Sequence, residues 1–299
     1  MNRSPITIES QHGDMVHDAQ LDYYGKILAT CSSDNRIRVY NVDNGTSELL
    51  VEIAEHSGPV WRLSWSHPKF GSYLASCSYD GSVKIFSISK EKSYTVVYTY
   101  TGHNSSVNCL EWAPPEYGAA LATASSDGNV AILYKANDTE WNSQQVVVCR
   151  MGCNAVSWCP YRPSSKETGS VLRVAVAAGD SCVHILKCFI SPSNPWDLET
   201  KLRGHGDRVR DVSWCPFIGI TTNRVASCGR DRQLIVWSQE SGEDWSKSFS
   251  HQYSDMIWRV NWSVTGNLLV VSHGANGVDL WKENLDHTWR LLSSKSIDS

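Results

Sequence analysis

Six copies of one short pattern, centred on an acidic residue, run along nearly the whole of this 299-residue chain. Asp34, Asp80, Asp127, Asp180, Asp231 and, with the acid lost, Ala275 mark the copies at intervals of 46, 47, 53, 51 and 44 residues. A run of small and apolar residues precedes each mark, as in Leu74-Ala75-Ser76-Cys77-Ser78. An apolar run follows three residues later, as in Val83-Lys84-Ile85-Phe86. Strand, tight turn and strand is the local reading. A hairpin cannot bury its own faces, so units repeated in the forties must stack on their neighbours and share one continuous core.

More of each repeat is legible than the hairpin. In the fullest copy His205 lies 26 residues before Asp231, Ser227 lies four before it, and Trp237 six after it. On a four-stranded sheet these residues bring the loop before the first strand onto the turn between the second and third. The carboxylate accepts from the His N–H, and the hydroxyl and indole N–H extend the network. Thinner copies are His12, Thr30, Asp34 and Tyr40; His56, Ser76, Asp80 and Phe86; and His103, Thr123, Asp127 and Leu133. This combination resembles the blade of a WD-type β-propeller. The fold expected is therefore all-β, with 1–299 forming a single six-bladed propeller. Its blades fall at about 12–54, 55–101, 102–150, 151–203, 204–250 and 251–294, with residues 1–11 left over as an N-terminal strand.

Ser, His and Asp in one network also describe a hydrolase triad, but an active site does not recur in every repeat, and no Gly-x-Ser-x-Gly elbow accompanies it. No catalytic residues, cofactor or metal are expected. The ten cysteines contain no C-x-x-C pair, and Cys31, Cys77 and Cys228 share one place, three residues before the anchor, where a thiol serves as a small hydrophobe. Reduced cysteines imply a reducing compartment. The formal charge of −4 has no basic cluster of the size that nucleic acid requires. The N-terminus has no apolar run of signal-peptide type, so membrane association is expected only through partners.

Two surface features stand apart from the repeat. Trp61 and Trp258 lie where first strands leave their loops, whereas Trp65, Trp112, Trp158, Trp214 and Trp262 end those strands as packing residues. Arg208 follows His205, and Arg230 and Arg232 flank Asp231, so the His–Asp contact would gather them into a patch for an acidic or phosphorylated partner.

The count of blades carries the functional argument. After Ala275 the chain holds one third strand, Val278-Asp279-Leu280-Trp281, and one fourth, Thr288 to Leu292, so the last blade owns four strands. Ser4 to Ser10, with Ile6 and Ile8 on one face, is then a strand without a blade. Either it seals an ordinary closed ring and the Thr288 segment is a tail, or the ring is open and completed by another chain adding strands at the seam.

The segment Asp18-Ala19-Gln20-Leu21-Asp22-Tyr23-Tyr24-Gly25 resembles the opening of the Sec-thirteen family. So do Gly58-Pro59-Val60-Trp61, Gly152-Cys153-Asn154-Ala155-Val156-Ser157-Trp158, Val209-Arg210-Asp211-Val212-Ser213-Trp214 and Leu280-Trp281-Lys282-Glu283. The resemblance implies a non-enzymatic, open six-bladed propeller that accepts an inserted blade in trans. It implies as partners the large α-helical subunit of the COPII outer coat, a helical scaffold nucleoporin of the nuclear-pore Y-complex, and the amino-acid-sensing complex upstream of TOR. It places the chain at the cytoplasmic face of the endoplasmic reticulum, at nuclear pores and in the cytosol. The seam residues expected to meet the donated blade are Ile6, Ile8 and Val16 at the leading edge, with Leu291 and Leu292 at the trailing blade. A closed-ring adaptor, such as a ubiquitin-ligase substrate receptor, is the alternative; Trp237-Ser238-Gln239-Glu240 lacks the Trp-Asp-x-Arg of such receptors.

Overall fold

Six antiparallel four-stranded sheets, each a simple meander in chain order, make up the fold in the computed structural model. It describes residues 8–43, 46–89, 92–137, 140–161, 171–189, 191–216, 222–241, 243–284 and 286–296. The first strands are Val16–Leu21, Val60–Trp65, Val107–Trp112, Cys153–Trp158, Val209–Trp214 and Ile257–Trp262. Consecutive first strands pack on one another. Arg62 in blade two reaches Asp211 in blade five at 3.3 Å, and Arg259 in blade six reaches Asp18 in blade one at 2.8 Å. The first strands therefore surround a common axis, which is the geometry of a propeller.

The blade limits read from the repeat agree with the sheets through blade four. The outer strand of blade five, Ser246–Gln252, runs two residues past the expected boundary, and that of blade six, Trp289–Ser296, runs two past its own. The expected strand at 4–10 falls largely outside the described residues. Residues 8–10 adopt no strand, because no neighbouring edge pairs with them. Instead the Ser10 carbonyl accepts hydrogen bonds from the Tyr40 hydroxyl and from Arg38 Nη1.

Blades join through small residues. In the second strand Ala and Cys face the next blade, and in the third strand the cross-strand partners are Ile, Val or Leu, as in Ala226 opposite Val236 and Cys228 opposite Leu234. Against them pack Leu269, Val271 and Trp281 of blade six. Small residues let adjacent sheets approach closely while the larger partners fill the wedge. All ten cysteines are buried, and Cys31, Cys77 and Cys228 lie at the second-strand position that faces the next blade.

Candidate functional site

The expected four-residue network forms in full in blade five, and its His–Asp and His–hydroxyl parts form in blades one to three. His205 Nδ1 donates to Asp231 at 2.9 Å, the Ser227 hydroxyl donates to His205 Nε2 at 2.8 Å, and Trp237 Nε1 donates to Ser227 Oγ at 2.9 Å. The His–Asp pairs of blades one, two and three are 2.8, 3.0 and 3.0 Å long. Burial pushes the Asp231 carboxyl up, but the hydrogen bonds from His205 and from the Gly206 and Gln233 N–H groups outweigh it, holding the acid below the ordinary carboxylate range. In blade four the histidine comes from the third strand, with His184 Nε2 lying 3.0 Å from Asp180.

Blade six keeps a polar contact without its anchor acid. Loss of the acid at Ala275 and of the hydroxyl at Val271 suggests a blade without a polar network, yet Trp281 Nε1 donates to the Tyr253 hydroxyl at 2.8 Å. Tyr253 stands 22 residues before Ala275, the offset of His12 from Asp34, so the tyrosine takes over the position of the loop histidine. Its phenol supplies the acceptor that Ser227 supplies in blade five.

The place where blade six meets blade one departs from the other junctions. Trp65, Trp112, Trp158 and Trp262 each donate an indole N–H to a carbonyl of the preceding blade, on Gln20, Ser64, Glu111 and Ser213, at 3.0, 3.1, 2.9 and 3.1 Å. Trp214 joins through its backbone N–H to Ser157 Oγ at 3.0 Å. Blade one carries Leu21 at the matching register, exposed and without a donor.

Burial tells the same story on both faces. The positions that face the next blade are 0–1 % exposed in blades one to five; in blade six they are Val270, Ser272, Val278 and Leu280, with Val270 40 % exposed and the others half-buried. On blade one, Val16 is 40 % exposed where Val60, Val107, Cys153, Val209 and Ile257 are fully buried. Leu28 is half-buried where Leu74, Leu121, Val174, Val225 and Leu269 are fully buried. Near the axis the gap is bridged: Arg259 pairs with Asp18 and donates to the His17 carbonyl, both at 2.8 Å. Among the described residues, no buried apolar cluster spans blades six and one.

The residues expected at the seam are thus divided. Val16 lies on its edge, Ile8 is half-buried in irregular chain, and Ile6 lies outside the described residues. Leu291 and Leu292 sit on the outer strand of blade six, 42 and 46 % exposed. The matching Val96 and Val97 of blade two, inside the continuous part of the ring, are 41 and 37 % exposed. Their exposure therefore belongs to outer strands in general. The seam faces are Leu28 on one side and Val270, Val278 and Leu280 on the other, which sequence reasoning passed over as ordinary core. Two signals stand in the sequence: Leu21, where five repeats carry Trp, and Val270, where five repeats carry Ala.

The arginine patch also differs from its expected form. Arg230 N–H donates to the Arg208 carbonyl at 3.0 Å, so these two are neighbours, but Arg232 turns to the Ser254 carbonyl at 3.2 Å. Arg210 completes the group instead, its guanidinium 5.1 Å from the Trp258 ring centre. Burial, together with the charges of Arg230 and Arg208, lowers the Arg210 pKa.

Fold, networks and axis define a WD-repeat β-propeller, and the WD domain, G-beta repeat family matches residues 3–41, 47–87, 94–132 and 196–238. Over 96 % of its length the chain is 44 % identical to the "Protein SEC13 homolog" of Dictyostelium discoideum, covering 97 % of that protein. It is 40 % identical to the Homo sapiens "Protein SEC13 homolog", covering 92 % of that protein from 96 % of this chain. With "Protein transport protein SEC13" of Mycosarcoma maydis it shares 39 % identity, over 97 % of this chain and 94 % of that one. The chain belongs to the SEC13 family.

Proposed function

We propose that this chain is a non-enzymatic scaffold subunit acting in protein transport, an open propeller whose seam takes up a β-blade donated by a long α-helical partner. The observation that carries the reading is the pair of apolar faces at the seam, Val16 and Leu28 opposite Val270, Val278 and Leu280, in register positions that every other junction buries. Exposed apolar surface of this kind marks an interaction site. Its shape fits strand addition, because flanking sheets present the same pattern that receives the next blade elsewhere in the ring. A donated blade would bury both faces in an obligate interface of about 2,000 Å2 or more, behaving as part of the core. The Arg259–Asp18 pair near the axis would then hold the ring's circumference fixed while the outer wedge is filled.

The partner chemistry follows from the family resemblance. The large helical subunit of the COPII outer coat is the first candidate, with a helical nucleoporin of the Y-complex and the amino-acid-sensing complex upstream of TOR as further assemblies built in the same way. Membrane association would come through these partners, at endoplasmic-reticulum exit sites and nuclear pores. A closed-ring receptor is disfavoured by the exposure of Val16 and Val270, at positions that the other five junctions bury.

A photo-crosslinking amino acid at position 270, compared with one at position 96, tests the proposal in the organism's own cells. Capture of a stoichiometric helical subunit from position 270 and not from position 96 is the expected result. A crosslink from 270 into blade one of the same chain, or no stoichiometric partner, would mean that the ring closes on itself.

A further inference from the structure

One mouth of the central channel is built by a repeated backbone irregularity. In each blade the pairing of first and second strands slips by one residue, between Val16 and Asp18, Val60 and Arg62, Val107 and Cys109, Cys153 and Ala155, Val209 and Asp211, and Ile257 and Arg259. The extra residues are His17, Trp61, Asn108, Asn154, Arg210 and Trp258. A β-bulge re-aims a side chain out of the strand's alternation, and here all six line one cavity of about 470 Å3 at the channel mouth.

The charge at this mouth opposes that of the whole protein. The chain carries a formal −4, yet the cavity wall holds Arg62, Arg208, Arg210 and Arg259 against the single carboxylate of Asp211. Arg62 is paired with Asp211 and Arg259 with Asp18. Among the described residues, neither Arg208 nor Arg210 makes an ion pair, and the Arg210 Nε is buried without a hydrogen-bond partner. Asp207 offsets part of this charge, but the guanidinium groups of Arg208, Arg210 and Arg230 still repel one another more strongly, and an anion placed between them relieves that repulsion.

We propose that this mouth is a docking site for an acidic peptide segment, whose carboxylates are received by Arg208 and Arg210 and whose neighbouring side chains pack between Trp61 and Trp258. The cavity has the size of a site for a few side chains. The aromatic rings are held rather than free: Trp61 Nε1 donates to Ser106 Oγ at 3.0 Å and Trp258 Nε1 to the Gly274 carbonyl at 2.7 Å. Asn108 and Asn154 are fixed by donating to the carbonyls of Cys153 and Val209, at 2.9 and 2.6 Å. Rigid aromatic and arginine anchors around a recess are the composition of interface hot spots. The cavity wall includes His17 and Arg259 at the axial end of the seam, but its free arginines, Arg208 and Arg210, lie on blade five away from the apolar seam faces, so their substitution tests peptide docking apart from scaffold assembly.

The test measures fluorescence anisotropy of a fluorescein-labelled hexaglutamate peptide titrated with the full chain, alone or in complex with its stoichiometric partner. The proposal expects saturable binding that weakens with salt, and that falls roughly tenfold in Arg208→Gln/Arg210→Gln. Arg290→Gln, on the exposed outer strand of blade six, leaves binding unchanged, and a hexalysine peptide does not bind. Arg208→Glu, on the exposed loop, replaces the double variant should that fail to fold, and is expected to abolish binding. Absence of saturation by about 1 mM protein, equal binding by the arginine variants, or binding of anionic phospholipid vesicles without binding of the peptide would overturn it.

Discussion

Val236→Asp and Leu280→Asp place the same carboxylate at matching third-strand positions of blades five and six, and the structure predicts very different costs. Val236 is 1 % exposed beneath blade six. Losing its burial costs about 2 kcal/mol, and an unpaired carboxylate in that wall adds several more, for a total of roughly 4–6 kcal/mol. That is a large fraction of the stability of most domains, about 5–15 kcal/mol. Leu280 is half-buried on a face with no blade beyond it, so in the free chain the new acid reaches water and costs about 1 kcal/mol or less. Thermal denaturation of the two variants should separate their midpoints by roughly 10 °C. If the proposed seam takes up a partner's blade, capture should respond in the opposite order: Leu280→Asp, nearly silent in the free chain, would bury its charge beneath that blade and weaken binding by roughly a hundredfold or more. Equal destabilisation of the free chain by both variants would refute the reasoning, since it would require the Leu280 face to be covered from within.

Asp231→Ala removes the acceptor for His205 and for the Gly206 and Gln233 N–H groups, and should cost about 2–4 kcal/mol by chemical denaturation, with the His205 N–H left unpaired in a buried site. The anchor carboxyls of Asp34, Asp80, Asp127 and Asp231 are held below their ordinary value, so their contribution is fully present above about pH 4 and is lost as pH falls through the depressed range. An acid titration of stability should therefore show a steep loss below about pH 4, weakened in Asp231→Ala. Glu111 behaves oppositely: burial in the channel wall raises its carboxyl to about 7, against hydrogen bonding from Ser157 and the Arg62 charge, with Asp211 adding to the rise. Its folded pKa exceeds its unfolded one, so stability is lost as pH rises from about 4.5 towards 7, and Glu111→Gln should remove about 1–3 kcal/mol of that slope. Parallel stability–pH curves for wild type and Glu111→Gln would refute that assignment. Trp262→Phe deletes the indole bond to the Ser213 carbonyl while keeping most of the ring's packing, and should lower stability by about 1 kcal/mol in the same denaturation assay.

Much of this molecule is written in local sequence. The anchors Asp34 to Ala275 set six blades because a strand–turn–strand unit of fixed length admits one arrangement, and the networks at His205, Ser227, Asp231 and Trp237 follow from residue types whose donors and acceptors match. Even the substitution of Leu21 for tryptophan, which leaves one junction without its stitch, stands in the sequence. Other features were decided only by packing in three dimensions. Val278 and Leu280 are the same kinds of residue as their buried counterparts in blades one to five, and their exposure comes from what packs beside them, which no local pattern records; Val270 stands where the other five blades carry Ala. Leu291 and Leu292 mislead for the converse reason, since apolar residues on an outer strand are exposed whether or not a seam is near. The ring of Trp61, Arg210 and Trp258 at the channel mouth depends on bulges that break the two-residue alternation of each first strand. It also depends on closure of six distant segments around one axis, so residues nearly 200 positions apart come to share a wall.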